Sequence, residues 1–393
     1  MDFALSDDQS AIRDSVTKLA ARFDAEYWRR RDAEGAFPID FHRAFAEAGW
    51  LGIAMPAAYG GAGLGILEAA LLMMSVAESG AGFSGCSAIH MNIFGLHPVV
   101  VFGNEEQKRR FLPPLIAGQD RACFAVTEPN TGLNTLKLKT KAVRRGDRYV
   151  VHGQKLWIST AQVANKMLLL ARTTPEENVP KGSPAGLSLF YTAFDRSHIE
   201  VREIDKMGRA AVDSNQVFID GLEIPVEDRI GEEGEGFRYI LHGMNPERVL
   251  VAAEAVGLGR AALARAAAYA KERVVFGRPI GQNQGIQHPL AERWIELEAA
   301  ELLVWKAAWI YDRGDAAAAT AGTAANAAKY FAAESCFRAC ETAVMTLGGM
   351  GYAKEYDVER YLRESFIARI APVSPHMILN FIAEKALGLP KSY

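Results

Sequence analysis

In the stretch "GMNPERVLVAAEAVGLG", residues 243–259, Glu247 and Arg248 stand where a glycine-bearing loop gives way to an apolar run. A carboxylate so placed has two readings: it decorates a helix start, or it is a base that removes a proton. The local residues favour the first. Asn245 is a preferred N-cap, and Pro246 suits the first helical position because it has no N–H to leave unpaired. A first-turn carboxylate also meets the positive end of the helix dipole. The cysteines offer less. Cys86, Cys123, Cys336 and Cys340 include one pair at helical spacing, but no histidine or third cysteine stands near that pair in sequence. Buried free thiols are expected, and no metal set is assigned.

Three blocks of chain must position Glu247. Residues 1–122 read as helical: "LSDDQSAIRDSVTKLAARF" opens with Ser6 and Gln9 in capping-box spacing, and "GILEAALLMMSVAESG" and "NEEQKRRFLPPLIAG" keep the pattern. Over 123–235 the texture changes to short segments such as "RYVVHGQKLWIS", "KMLLLART", "GLSLFYTAF" and "NQVFIDGLEIP". These are rich in β-branched and aromatic residues and predict antiparallel strands, with "IDGLEIP" as a hairpin turn. Residues 236–393 return to long helical patterns, among them the Ala-rich run from Asp315, and close on Gly388 and Pro390. Helices, strands, helices predicts an α+β chain with a sheet domain between helical ones.

The bulk numbers narrow the function classes. A chain of 393 residues can hold two or three domains, and 49% hydrophobic with 23% charged residues is ordinary for a globular protein. A formal net charge of -3 argues against a nucleic-acid binder. The start "MDFALSDDQSAIRD" lacks a signal-peptide core, and no run of about eighteen apolar residues predicts a membrane span. A cytoplasmic protein is expected.

"CFAVTEPNTG" (123–132), "HGQKLWIST" (152–160), "DKMGRAAVDSNQVFIDGLEIP", "ERVVFGRPIGQNQGIQHPLAE" and "TLGGMGYAKEYDVERYLRE" together resemble the acyl-CoA dehydrogenase family, in its order and spacing and over nearly the whole chain. The resemblance implies an N-terminal all-helical domain, a middle antiparallel, β-barrel-like domain and a C-terminal four-helix bundle. It implies FAD, a homotetramer built as a dimer of dimers, and an electron-transferring flavoprotein as acceptor. The cofactor is held without a glycine fingerprint, and "GLGILEAA" at 63 indeed follows no predicted strand. By the same resemblance Phe124, Val126 and Thr127 run beside the flavin ring, Trp157 lies against it and Ser159 reaches its N5 side. Taken alone, Thr127 reads as an ordinary strand residue and Trp157 as a core aromatic. Arg273 matches the arginine for the pyrophosphate of the adjacent subunit's FAD, a role suited to a guanidinium fork. Phe276, Gln284, Gly348, Gly349, Ser374 and His376 match further cofactor contacts, and Gly351 completes the glycine turn.

Several positions depart from the family. Pro372, in "ARIAPVSPHMILN", stands where many members carry the catalytic glutamate, and it also lacks the N–H that helps hold the thioester oxygen. Leu133 replaces a serine near the ligand, and Met345 replaces a glutamine before the double glycine. A subset including isovaleryl-CoA dehydrogenase places its base at the start of the long helix, and in this chain that position is Glu247. Arg248 matches the arginine beside it, and Asn245 falls where an aspartate often meets CoA. The base reading of Glu247 is therefore preferred, with burial expected to outweigh the helix end in setting its pKa.

The expected reaction is α,β-dehydrogenation of an acyl-CoA to the trans-2-enoyl-CoA. Alternatives are an enoyl-CoA reductase, since "RIAPVSP" resembles the matching stretch of crotonobetainyl-CoA reductase, an oxygen-using relative, or a flavin-free binding protein. "SAIHMNIFGLHP" would line the acyl pocket. His90 within it hints at a polar acyl group, but a histidine bonded within the helical core is the preferred reading.

Overall fold

The computed structural model describes residues 4–314 and 318–392. The start of the Ala-rich helix predicted from Asp315 lies outside the described residues. The chain opens with α1 (Asp7–Ala20), α2 (Ala25–Glu34), α3 (Ile39–Glu47), α4 (Ile66–Val76), α5 (Gly82–Ile93), α6 (His97–Phe102) and α7 (Glu105–Ile116). The capping box forms as its spacing predicts. The Ser6 Oγ accepts from the Gln9 N–H at 3.2 Å, and the Ser6 N–H donates to Gln9 Oε1 at 3.1 Å.

The strands are β1 (Ala122–Ala125), β2 (Lys141–Arg145), β3 (Arg148–Ser159), β4 (Lys166–Arg172), β5 (Leu187–Ala193), β6 (Ile199–Glu203), β7 (Ser214–Pro225) and β8 (Arg229–Ile230). They form one sheet in the order β6-β7-β3-β2-β4-β5-β8, with β1 branching onto β4. The path is open at β6 and β8 rather than closed as a barrel. Most ladders are antiparallel, but β1 and β2 both meet β4 in parallel, which the expectation of a purely antiparallel domain missed. β4 shows why the middle of the sheet is so apolar. Leu168 and Leu170 face a cluster with Phe111 and Tyr191, while Met167 and Leu169 face one with Tyr149 and Phe190. Both faces are covered, so both registers must be hydrophobic.

"IDGLEIP" is not a hairpin. It lies within the continuous strand β7, where Val151 pairs Leu222 and His152 pairs Asp220, leaving Gly221 as the extra residue of a bulge at φ +69°. Glycine signals the positive φ, and a bulge uses that as readily as a turn does.

The C-terminal part comprises α8 (Gly236–Glu272), a hairpin of β9 (Val274–Val275) and β10 (Arg278–Pro279), then α9 (Gln284–Asp312), α10 (Ala318–Leu347), α11 (Val358–Ile370) and α12 (Pro375–Lys385). α8, α9 and α10 pack together, α11 packs on α10 and α8, and a shared core joins them to α4 and α5 through residues such as Met73, Val76, Leu258 and Tyr361. The helical stretch Ile66–Phe102 is apolar and long enough to cross a membrane by composition, but 72% of its most apolar window is buried inside the fold. It is a core element.

The helix start inferred at Asn245 is incorrect. α8 begins at Gly236, and Pro246 and Glu247 lie inside it. Asn245 caps nothing; its side-chain oxygen accepts from Arg248. The reason is tertiary. Tyr239 and Ile240 are buried against the sheet and α7, and Gly236 sits so close to Ser188 and Leu189 that a Cβ would lie 2.5 Å from backbone. That packing carries the helix through a proline that would otherwise cost about 3 kcal/mol.

Candidate active site

Glu247 sits on the face of α8 turned toward α5 and α10. Its side chain is half-buried, and Oε2 is inaccessible with no hydrogen-bond partner among the described residues. Burial pushes its carboxyl up to about 7, while His90, Arg248 and Lys329 pull it back and Glu254 pushes it further up. Burial does dominate, but no helix end opposes it, because α8 begins at Gly236. A carboxyl poised near neutrality and lacking a partner can accept a proton and release it again. Arg248 is held away from it, donating to Met244 O at 3.0 Å, Asn326 Oδ1 at 2.8 Å and Asn245 Oδ1 at 2.5 Å.

Two ionisable groups around Glu247, Glu254 and Lys329, were not read from the sequence, and a third, His90, was. Glu254, two turns further along α8, is 3% exposed and accepts from His90 Nδ1 at 2.6 Å. The preferred reading of His90 as a bonded histidine holds, with a carboxylate as the partner. Burial alone would lower the His90 pKa, but the charges of Glu254 and Glu247 and the bond to Glu254 raise it above 6.5. Lys329 of α10 is buried, donates to Val373 O at 2.7 Å, and is pulled down to about 8 by its burial against the attraction of Glu247. It brings the Pro372–Ser374 loop to the Glu247 side of the bundle. A glutamate inside "VLVAAEAVGLG" was the available signal, since carboxylates are seldom buried unpaired.

A second constellation lies at the end of β3. Pairing slips between Lys155 and Ile158, so Leu156 and Trp157 oppose one residue of β7. Trp157 takes φ +61° and is 55% exposed, which overturns its reading as a core aromatic. A bulky residue held in that region is costly and tends to mark a functional surface. The Leu156 N–H donates to Thr127 O at 2.9 Å, bringing the half-buried Thr127 beside the bulge. Beneath it Lys155 is fully buried. It donates to Val126 O at 3.0 Å, Leu170 O at 2.7 Å and Glu128 Oε1 at 3.0 Å. Glu128 in turn accepts from the N–H groups of Lys139 and Thr140. This charged clasp fixes the "VTEP" segment against β3, and its burial holds Lys155 down at about 8 despite Glu128. Phe124 is partly buried and Val126 buried along the same edge, whereas Leu133 is 62% exposed.

Ser159 joins the two constellations. Its Oγ accepts from Arg209 Nη2 at 3.0 Å, and Arg209 also donates to Ser87 of α5 at 2.9 Å and Ser214 at 3.3 Å. With a lone pair so engaged, the Ser159 hydroxyl hydrogen is free to point outward. An exposed aromatic face on a strained bulge, flanked by two available hydroxyls, suits a flat heterocycle with a polar edge, so these residues fit a flavin ring.

The remaining candidates lie elsewhere. Arg273 follows α8, and its exposed side chain has no partner among the described residues. Along a continuous helix it is ~39 Å from Glu247. Phe276 tips the β9–β10 hairpin at φ +53° and is 101% exposed. Gln284 begins α9, Gly348 and Gly349 follow α10, and all three are exposed. Ser374 caps α12, accepting from Met377 at 3.4 Å, and His376 is exposed in its first turn. One chain does not bring the outer-bundle group, Arg273 with Phe276, to the Trp157 bulge. The four cysteines are free and buried, as expected.

Comparison with known proteins matches this organisation. Family models described as the acyl-CoA dehydrogenase N-terminal, middle and C-terminal domains match residues 6–119, 123–222 and 234–387. The chain is similar to acyl-CoA dehydrogenase FadE12 of Mycobacterium tuberculosis, 37% identical over 100% of this chain and 99% of that one. It resembles a chain from the structure of the electron transferring flavoprotein of Acidaminococcus fermentans, with 31% identity, TM-score 0.91, and 98% of this chain and 100% of that one covered. It also resembles glutaryl-coenzyme A dehydrogenase solved with glutaryl-CoA, with 29% identity, TM-score 0.90, and 100% and 98% covered. The chain belongs to the acyl-CoA dehydrogenase family, FAD-dependent oxidoreductases that act on acyl-CoA thioesters.

Proposed function

We propose that this protein dehydrogenates an acyl-CoA between its α and β carbons, with Glu247 as the base, as in the isovaleryl-CoA dehydrogenase subset. The observation that carries the reading is the inaccessible, unpartnered Glu247 Oε2 between α5, α8 and α10, with its carboxyl near 7. The α-proton of a thioester is weakly acidic, so its removal needs a carboxylate that is dry and ionised together. His90, Arg248 and Lys329 supply positive charge that keeps the ionised form accessible. Pro372 carries neither the family's usual carboxylate nor its N–H, which leaves Glu247 as the base on this side of the bundle.

When bound, FAD would supply the acceptor for the β-hydride. Trp157 would lie against its ring, Ser159 would donate toward its N5 edge, and Thr127 with Phe124 and Val126 would line its polar side. Asn245 and Arg248 flank the thioester end, and Leu133 closes the mouth. Arg273, Phe276, Gln284, Gly348 and Gly349 hold the distal half of the cofactor of a neighbouring copy, with Ser374 and His376 as further contacts. This makes the working unit a homo-oligomer, a dimer of dimers, built from three domains cut near 122 and 235. Electrons then pass to an electron-transferring flavoprotein. The ~39 Å between Glu247 and Arg273 supports the shared site, since two points so far apart along one helix do not meet the same part of one cofactor.

Anaerobic mixing of the FAD-loaded protein with a series of acyl-CoAs tests the reaction. Bleaching of the flavin band with formation of enoyl-CoA is expected. Absence of bleaching with every acyl-CoA would overturn the reading.

A further inference from the structure

The face of α5 beside Glu247, where the acyl group would lie, carries polar groups among its apolar ones. On α5, Ser87 and His90 are three residues apart and half-buried, while Ser84, Cys86, Ala88 and Ile89 around them are buried. Residues so spaced share one helix face at about 5–6 Å between Cβ atoms. Ser87 receives Arg209 Nη1 at 2.9 Å, which sets the guanidinium one turn from the imidazole. His90 Nδ1 is taken by Glu254, leaving Nε2 on the 12% of the side chain still open. Among the described residues Arg209 has three hydrogen bonds for its five N–H groups, all to serine hydroxyls and none to a carboxylate. A guanidinium with spare donors and an imidazole whose pKa its carboxylate partner raises therefore meet on one face, near the base.

An alkyl tail lying there would cover these donors without satisfying them, and a site built for hydrogen bonding discriminates strongly against a ligand that cannot make them. Resting on the reading of this face as lining the acyl-CoA site, we propose that the acyl group carries an oxygen substituent beyond its β-carbon, a hydroxyl, oxo or carboxylate oxygen, received by His90 Nε2 and the Arg209 guanidinium. Glu254 is a positioning residue. It holds Nδ1, which leaves Nε2 for the ligand, and its charge favours the protonated imidazole.

The test compares acyl-CoAs of matched length on the FAD-loaded enzyme: hexanoyl-CoA, 5-hydroxyhexanoyl-CoA and the dicarboxylic glutaryl- and adipoyl-CoA, scored by kcat/KM for flavin bleaching. The oxygenated substrates are expected to exceed hexanoyl-CoA by about ten- to hundredfold. His90→Leu should collapse that ratio, mainly through KM of the oxygenated substrate, and His90→Gln should restore part of it. Arg209→Lys, which retains a buried cation, should weaken the dicarboxylic substrates more than the hydroxylated one. Hexanoyl-CoA as the better wild-type substrate, or an unchanged ratio in His90→Leu, would overturn this inference and leave the dehydrogenase reading standing. Bleaching by none of the four would overturn this inference, and the dehydrogenase reading falls with it only if every other acyl-CoA fails as well.

Discussion

The α5–α8 seam and the β9–β10 hairpin stand far apart along one helix and are built on opposite principles. At the seam, charged groups are enclosed: Glu254 is paired with His90, and Glu247 is left open beside them. At the hairpin, Arg273 has no partner among the described residues and Phe276 stands fully in solvent with its backbone at positive φ. A monomer gains nothing by exposing Val274, Val275 and Phe276 together. The seam is finished within one chain, whereas the hairpin is exposed as expected of the half-site that we propose a second copy completes.

The largest expected effect lies at the seam. Glu247→Gln keeps shape and loses basicity, so acyl-CoA should still bind while flavin reduction falls roughly 10²–10⁴-fold. Stopped-flow bleaching reads this directly, and adding Pro372→Glu should recover part of the loss if both positions face one α-carbon. Wild-type bleaching in Glu247→Gln would return the residue to a structural role.

Next comes the hairpin. Arg273→Ala should weaken FAD retention by about 1.5–3 kcal/mol, read by flavin absorbance after gel filtration. Mixing Glu247→Gln with Arg273→Ala subunits then distinguishes a shared site from a private one. If Arg273 serves its neighbour, each mixed pair holds one site with both groups intact, and activity should return to about a quarter of wild type after random reassociation. If it serves its own chain, no mixed pair works.

A third effect is set by protonation. The Glu247 carboxyl is raised from 4.5 to about 7, so the folded state holds that proton more tightly than the unfolded one. The associated stability is full below pH 4.5 and lost as pH rises through 7. Glu247→Gln should therefore gain about 3 kcal/mol over wild type at pH 8 and almost nothing at pH 4.5, measured by denaturant unfolding. Flavin reduction should follow the opposite limb, rising with pH through about 7 as the base ionises. The smallest effect on the subunit is at Phe276→Ser. Unfolding should shift by less than ~0.5 kcal/mol, because the ring touches solvent, while association weakens, read by sedimentation.

The fold was legible because its signals are periodic and local. The capping box at Ser6 and Gln9 and the strand textures between 123 and 235 needed no partner to be read. Where two structures share one local code, the sequence misled. Gly221 marks a positive φ that a bulge and a turn use alike, and Asn245–Pro246 spell a helix start that the packing of Tyr239 and Ile240 overrides. The site divides the same way. Glu247 could be found by motif, but its neighbours Glu254, His90 and Lys329 come from three helices, and their meeting is a property of packing. Trp157 could not be told from a core residue, since its exposure depends on a one-residue slip in pairing.

The unbroken run of α8 from Glu247 to Arg273 also constrains how this sequence can change. A helix advances 1.5 Å and turns about 100° with each residue. One insertion or deletion between these positions would swing the hairpin to another side of the bundle, out of reach of the copy that we propose it serves. Substitutions along that span can be absorbed singly, but a change of length cannot. Natural variants of this chain should therefore differ in length at the loop around residues 173–186 and keep the count from 247 to 273 constant.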